Sequence, residues 1–267
     1  MTAGFAPAEP TQARSSPGVL FLGFGNVFRK EVTEWLRGRR AIVVATVSIL
    51  SVAFTTLVPY IVRATGQASS GPPLSMEPTA NVLYGWGGQT IQIVTLLATM
   101  SLLSVERDRG TLAWSLSNPV SRASVLFAKY GAAFLAIGAL AVMGPIAVSV
   151  VVATIAYGGI PDLPTVGTFA VLYLTVPAFW IALTIFLGTF LKSAAGIAGI
   201  GFAVMLLPTL FAGFLPIVTE MSPTSISTWA IAAATGEPAS ALTLAAWVVG
   251  MGVLLVGAKI SFDRQEF

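Results

Sequence analysis

Glu106-Arg107-Asp108-Arg109-Gly110-Thr111, continuing through Trp114 to Asn118-Pro119-Val120-Ser121-Arg122, is the densest internal cluster of charge in the chain. It is framed by two long stretches with no charge at all: 28 residues from Pro78 to Val105, and 32 from Tyr130 to Pro161. Four adjacent charges at the centre of a bilayer would cost about 3 kcal/mol each, roughly 12 kcal/mol together. The cluster therefore belongs in water and the flanking runs do not. This alternation predicts a membrane protein in which the cluster is a loop able to meet a soluble partner.

Composition agrees. Hydrophobic residues make up 55% of the 267, charged residues only 9%, and mean hydropathy is +0.86. A soluble domain carries about 25% charged residues. The 14 basic residues are spread over several loops and form no groove-sized patch, so nucleic acid is not an expected partner. There is no Cys and no His. Disulfides, thiol chemistry and imidazole bases are thereby excluded. Residues 1–22 are rich in Pro, Ala and Ser, lack the pattern of a signal peptide, and are expected to be a disordered cytoplasmic N-terminus.

A spanning helix needs about 20 mostly apolar residues. Six candidates follow, at about 41–62, 88–105, 127–157, 166–191, 194–217 and 239–260. The expected fold class is an all-α polytopic membrane protein with six transmembrane helices. Pro145, Pro177 and Pro208 are expected kink points. Lys192 and Ser193 alone separate the fourth and fifth spans, which predicts a tight antiparallel hairpin. The semi-polar stretch 216–238 fits a short interfacial or re-entrant helix carrying Trp229. The spans hold essentially no ionisable residue except at their ends, which argues against proton-coupled transport and intramembrane hydrolysis. The small residues of the fifth span (Ala194, Ala195, Gly196, Ala198, Gly199, Gly201) allow close helix approach.

Sidedness follows from the loops. One set holds Arg14, Arg29, Lys30, Arg37, Arg39, Arg40, Arg107, Arg109, Arg122, Lys129, Lys192, Lys259 and Arg264; the other holds Arg63 with Glu77, Asp162, Glu220 and Glu237. The bias places the first set, both termini and the 106–122 segment in the cytoplasm of a multi-pass protein of the cell (inner or plasma) membrane.

Two elements outside the spans carry a local pattern. In 28–37, Phe28, Val32, Trp35 and Leu36 share one helical face while Arg29, Lys30, Glu34 and Arg37 point elsewhere. Such a helix lies in the membrane interface, with Gly38 allowing a bend into the first span; a plain basic flank that only sets topology is the alternative. In the central cluster the second span should continue through Glu106 to Arg109, turn at Gly110, and give a short transverse helix over 111–116. There Leu112 and Trp114 are available for contact. Asn118-Pro119 reads as N-cap and first helical residue of the third span. A solvated loop is the blander reading.

The run Glu-Arg-Asp-Arg-Gly-Thr-Leu, then Asn-Pro-Val-Ser-Arg, then Lys129 resembles the hallmark segment of type-2 ABC transporter permeases, the membrane subunits of ATP-driven exporters. Glu106, Gly110, Thr111, Pro119, Ser121 and Arg122 match it position by position, and Trp114-Ser115 depart from it, the family more often having aliphatic residues there. The elbow residues Phe28, Arg29, Lys30, Glu31, Val32, Trp35 and Arg37 resemble the same family's interfacial helix. The resemblance implies an amphipathic elbow over 23–40, a six-helix permease domain over 41–260 and a cytoplasmic tail over 261–267. It also implies a coupling helix within 106–122 that docks on a separate ABC ATPase subunit. On that basis Glu106, Arg107, Asp108, Arg109 and Arg122 would dock, Gly110 and Pro119 would set the shape, and Thr111, Leu112, Asn118 and Ser121 complete the segment. A second permease copy, or a related permease, and membrane lipid are the other implied partners. ATP and Mg would sit on the ATPase, with no cofactor on this chain.

No G-x-x-x-x-G-K-[ST] sequence occurs, so the chain has no P-loop of its own. Its expected function is that of a transport subunit, not an enzyme. A non-transporting scaffold or sensor on the same fold, or an ATP-independent carrier, is the alternative.

Overall fold

A computed structural model describes residues 22–66, 77–85, 89–108, 120–212 and 214–265. Among these every regular element is a helix: α1 (Phe24–Arg37), α2 (Arg39–Ala64), α3 (Pro78–Tyr84), α4 (Thr90–Thr99), α5 (Ser104–Asp108), α6 (Arg122–Tyr157), α7 (Leu163–Phe190), α8 (Ala194–Phe211), α9 (Pro216–Glu220), α10 (Ile226–Thr235) and α11 (Ala241–Asp263). A 3₁₀ turn, Pro223–Ser225, joins α9 to α10. Residues 1–21 of the expected disordered N-terminus lie outside the described residues, as do 109–119 of the central cluster.

Five helices (α2, α6, α7, α8 and α11) are long and apolar enough to cross a membrane. The remaining one, the second expected span at about 88–105, is shorter and broken. Its apolar stretch, Thr90–Glu106, consists of α4 and α5 separated by turn residues 100–103. Hydroxyl side chains crowd this break. Thr95 and Thr99 each donate to the carbonyl four residues back (2.7 Å), the Leu102 N–H turns to the Thr99 carbonyl (3.0 Å), and the Ser101 hydroxyl accepts from Arg40 Nη2 (3.0 Å). Side chains that offer the backbone other partners loosen a helix where hydropathy alone sees a continuous run.

Two of the three expected proline irregularities appear. Residues 138–143 of α6 form a π-helical turn, closed by the Gly144 N–H on the Ala139 carbonyl, immediately before Pro145. The widened turn accommodates a residue that has no N–H to give and whose ring crowds the preceding turn. α7 is interrupted at Leu174, three residues before Pro177. α8 instead stays helical through Pro208.

The expected restart of the third span at Asn118-Pro119 falls outside what the structure describes. α6 begins at Arg122, where Ser121 is the N-cap and its Oγ accepts the Ser124 N–H (3.1 Å). A serine three residues ahead of a free helical N–H serves this role without help from proline. The α7–α8 connection is as short as expected, with Ser193 Oγ capping Gly196 N–H (3.3 Å). Stretch 216–238 folds as α9, the 3₁₀ turn and α10, and α10 packs on the first half of α7.

α1 lies along the first half of α6, α2 along its second half, and the second half of α7 packs between α4 and α11. Trp180, Tyr173, Phe169, Phe262, Leu96 and Ile137 fill the interior. One end of the bundle gathers the basic loops: Arg122 reaches residues 262–265 and the Gln265 amide reaches the Thr189 carbonyl. The other gathers the acidic ones, with the Asp162 N–H on Thr79 Oγ1 (2.9 Å) and Ser240 on Glu220. The fifth span's small residues divide. Gly201 sits hard against Leu96, whereas Gly199 meets nothing within 4 Å.

Candidate functional site

The site begins with α1. Phe24 and Phe28 stack at 5.5 Å, Phe28 lies over Gly131 of α6, and Trp35 is buried. Leu36, expected on the same face, is instead 55% exposed, and Glu31 takes its place against the bundle. At about 100° per residue Glu31 is only about 60° from Phe28 around the axis, and Leu36 is about 80° away on the other side. Trp35 lies four residues after Glu31, so both fall on the inward stripe.

A carboxylate there needs a cation, and Lys129 provides it. Lys129 is seven residues into α6, about 10 Å from its start. Its Nζ donates to Glu31 Oε1 at 2.8 Å and to Glu106 Oε1 at 2.7 Å. The side chains of Lys129 and Glu31 are 3% and 6% exposed, that of Glu106 26%. One buried ammonium thus joins three elements distant in sequence: the elbow helix α1, the end of α5 where the central cluster begins, and α6 beyond that cluster.

A cavity of about 380 Å³ opens beside this triad, lined by Glu34, Trp35, Arg39, Arg40, Ser101 and Val105 among others. Arg40 lies over the Trp35 ring at 5.1 Å. A larger cavity of about 910 Å³ opens at the acidic end, with Tyr84, Trp229, Glu220 and Glu237 in its wall. Among the described residues no group of three or more His, Asp or Glu side chains is placed to hold a metal ion.

Arg122 makes the second link. Its Nη1 donates to the carbonyls of Phe262 (3.1 Å), Asp263 (3.0 Å) and Gln265 (2.6 Å), at and just beyond the last turn of α11, where a helix runs short of N–H partners for its carbonyls. A guanidinium at a helix C-terminus also meets the negative end of the helix dipole. The far side of the cluster is tied to the elbow as well: the Ser121 N–H donates to the Leu22 carbonyl (3.2 Å), and Val120 packs on Gly23. Gly23 has φ +77, and an added Cβ would come within 2.9 Å of Val120, so glycine is required there.

Both ends of the 106–122 segment are therefore anchored, one to Lys129 and one to α11 and the elbow. A family model described as ABC-2 family transporter protein matches residues 90–266. This chain belongs to that family. It is a multi-pass membrane permease of an ABC transporter, and the family's members are membrane components of such machines. None of the curated proteins compared with the chain matches it.

Of the permease's expected coupling residues, Glu106 and Arg122 carry the internal contacts just described, Ser121 caps α6, and Arg107 and Asp108 close α5. Arg109, Gly110, Thr111, Leu112, Asn118 and Pro119 lie outside the described residues. Among the elbow residues, Arg29 and Arg37 are exposed, Lys30 pairs with Glu34 at 3.5 Å, and Val32 is half-buried. Sequence reasoning missed the partnership of Glu31 and Lys129. The available signal was the i, i+3, i+7 spacing of Phe28, Glu31 and Trp35.

Proposed function

We propose that this permease is driven by ATP hydrolysed on a separate ATPase subunit that docks on the 106–122 segment, and that it moves its cargo outward. The observation that supports this most is the contact of Lys129 with Glu31 and Glu106. A push that reaches Glu106 would pass to the third span and the elbow through one buried ammonium. Nucleotide and Mg belong to the ATPase, and this chain contributes no catalytic group. The basic end of the bundle faces the cytoplasm of the cell membrane, with both termini there. Two copies, or this chain and a related permease, enclose the pathway. The charge-free spans favour hydrophobic or amphiphilic cargo.

Arg109 is a cleaner probe of docking than Glu106, because reversing Glu106 would also set a cation against buried Lys129. In proteoliposomes holding the permease and its ATPase, Arg109→Glu should weaken ATPase retention about tenfold, equivalent to about 1.4 kcal/mol. Transport should fall in step while the permease itself stays folded. Unchanged retention and unchanged transport-linked ATP hydrolysis would refute the docking assignment.

A further inference from the structure

Next to the cavity beside the triad lies an apolar groove of about 290 Å³ between α2 and α4, lined by Val43, Val44, Val47, Val94, Leu97 and Ala98. Arg40 is the one residue common to both. It stands in the first turn of α2, a helix apolar enough to span a membrane, next to the amphipathic α1. That is the depth of lipid headgroups, with the groove running from there toward hydrocarbon. Val43, Val47 and Leu97 leave the groove open along its side.

The charges at the mouth are not balanced. Lys129 is shared by two carboxylates, and Glu34 pairs with Lys30. Among the described residues, neither Arg39 nor Arg40 has a carboxylate within 4.0 Å. Arg40 gives one N–H to Ser101 and lies against Trp35, which fixes its plane and leaves its other donors available. Among the described residues, Lys129, Arg39 and Arg40 set against Glu31 and Glu106 leave one positive charge at the mouth. A phosphodiester would neutralise it and accept the fork of guanidinium N–H groups.

We propose that this junction is a binding site for one anionic phospholipid, with its phosphate on Arg39 and Arg40 and an acyl chain in the Val43–Val47–Val94–Leu97 groove. Basic pockets between spanning helices suit such headgroups, and the groove supplies what a free anion could not use. The site adjoins Glu106, so an occupied groove would brace the base of the coupling segment.

Native mass spectrometry of the full chain, released from nanodiscs of equal phosphatidylglycerol and phosphatidylcholine, tests this. The wild-type protein should retain phosphatidylglycerol over phosphatidylcholine by about tenfold, the ratio for 1.4 kcal/mol. Arg39→Gln/Arg40→Gln should bring the ratio to about one, and Leu97→Trp, which fills the groove, should reduce retention of both lipids. Equal retention by the wild type, or a preference that survives both variants, overturns the site. Glycerol 3-phosphate competing as well as the lipid would show an anion pocket only, and a Leu97→Trp effect on dimer mass without lipid loss would assign the groove to a second copy. Either result also overturns it. If the double arginine variant does not fold, Arg40→Lys replaces it, with a partial loss of preference expected and no loss contradicting the proposal.

Discussion

Replacing Lys129 by Met keeps the bulk of the side chain and removes the charge. Glu31, only 6% exposed, is left inside the protein with its cation gone. Removing one member of a buried ion pair costs about 3–5 kcal/mol, most of it the stranded partner. Glu106, at 26% exposure, can turn toward water and adds little, as partly exposed pairs do. Met also preserves packing, so lost volume contributes less than about 1.5 kcal/mol. The stranded carboxylate should therefore dominate. Neutralising it as Lys129→Met/Glu31→Gln should recover at least about 2 kcal/mol, whereas Lys129→Met/Glu106→Gln should recover under about 1 kcal/mol. Equilibrium unfolding in detergent reads the totals, and hydrogen exchange over residues 24–37 reads whether the elbow has come away. A cost for Lys129→Met below about 1 kcal/mol, or a rescue by neutralising Glu106 as large as that by neutralising Glu31, would refute a dominant stranded carboxylate.

Three further outcomes are expected. Arg122→Gln removes charged donors from three carbonyls at the end of α11 and should destabilise it by about 1.5–3 kcal/mol; faster amide exchange over 258–265 with the rest unchanged is the signature. Gly201→Ala would put a Cβ 2.3 Å from a methyl of fully buried Leu96, an overpacking cost of about 1–3 kcal/mol. Leu96→Ala should relieve it, so that the double variant is less damaged than the two singles summed, as thermal unfolding would reveal. Burial works to raise the Glu77 carboxyl, but the Ala80 N–H, the Thr79 hydroxyl and the Thr79 N–H together hold it below the usual carboxylate range. Its folded state thus prefers the ionised form. The support it gives α3 is full above the unfolded carboxylate range and lost as pH falls through the depressed folded value. Wild type should therefore protect the amides of α3 better than Glu77→Gln near neutral pH, with the difference vanishing in acid.

Much of the fold was legible because hydropathy and helix length respond to one property. A charge-free run predicts a span, and 41–62 differs from Arg39–Ala64 only by two residues at each end. The break in the second span was not legible because Thr95, Thr99 and Ser104 count as mildly polar residues in a window, whereas in the bundle their hydroxyls bond to backbone carbonyls. The site was legible only as its two ends. Counting Lys129 among the loop cations was natural, since it follows Arg122 by two turns. Its burial depends on Glu31, 98 residues earlier, and no periodicity links residues that far apart. The same count made Arg122 a surface charge, when the carbonyls it reaches lie at the end of a helix that closes 141 residues later.

The two anchors of α6 differ in a way that bears on how a push at its base would travel. The bonds of Arg122 lie at a partly exposed helix end, where water can take over a carbonyl without leaving a charge buried. The bond of Lys129 to Glu31 lies between two buried side chains, and breaking it strands a charge. A force applied near residue 122 would meet least resistance by exchanging the Arg122 contacts while the Lys129 contacts hold. α6 would then turn about Lys129 and carry the elbow with it through Glu31. The widened turn at 138–143, beyond that pivot, is where the rest of the helix could yield without following. The buried ammonium is thus better suited to be the fulcrum of a motion than a latch released by it.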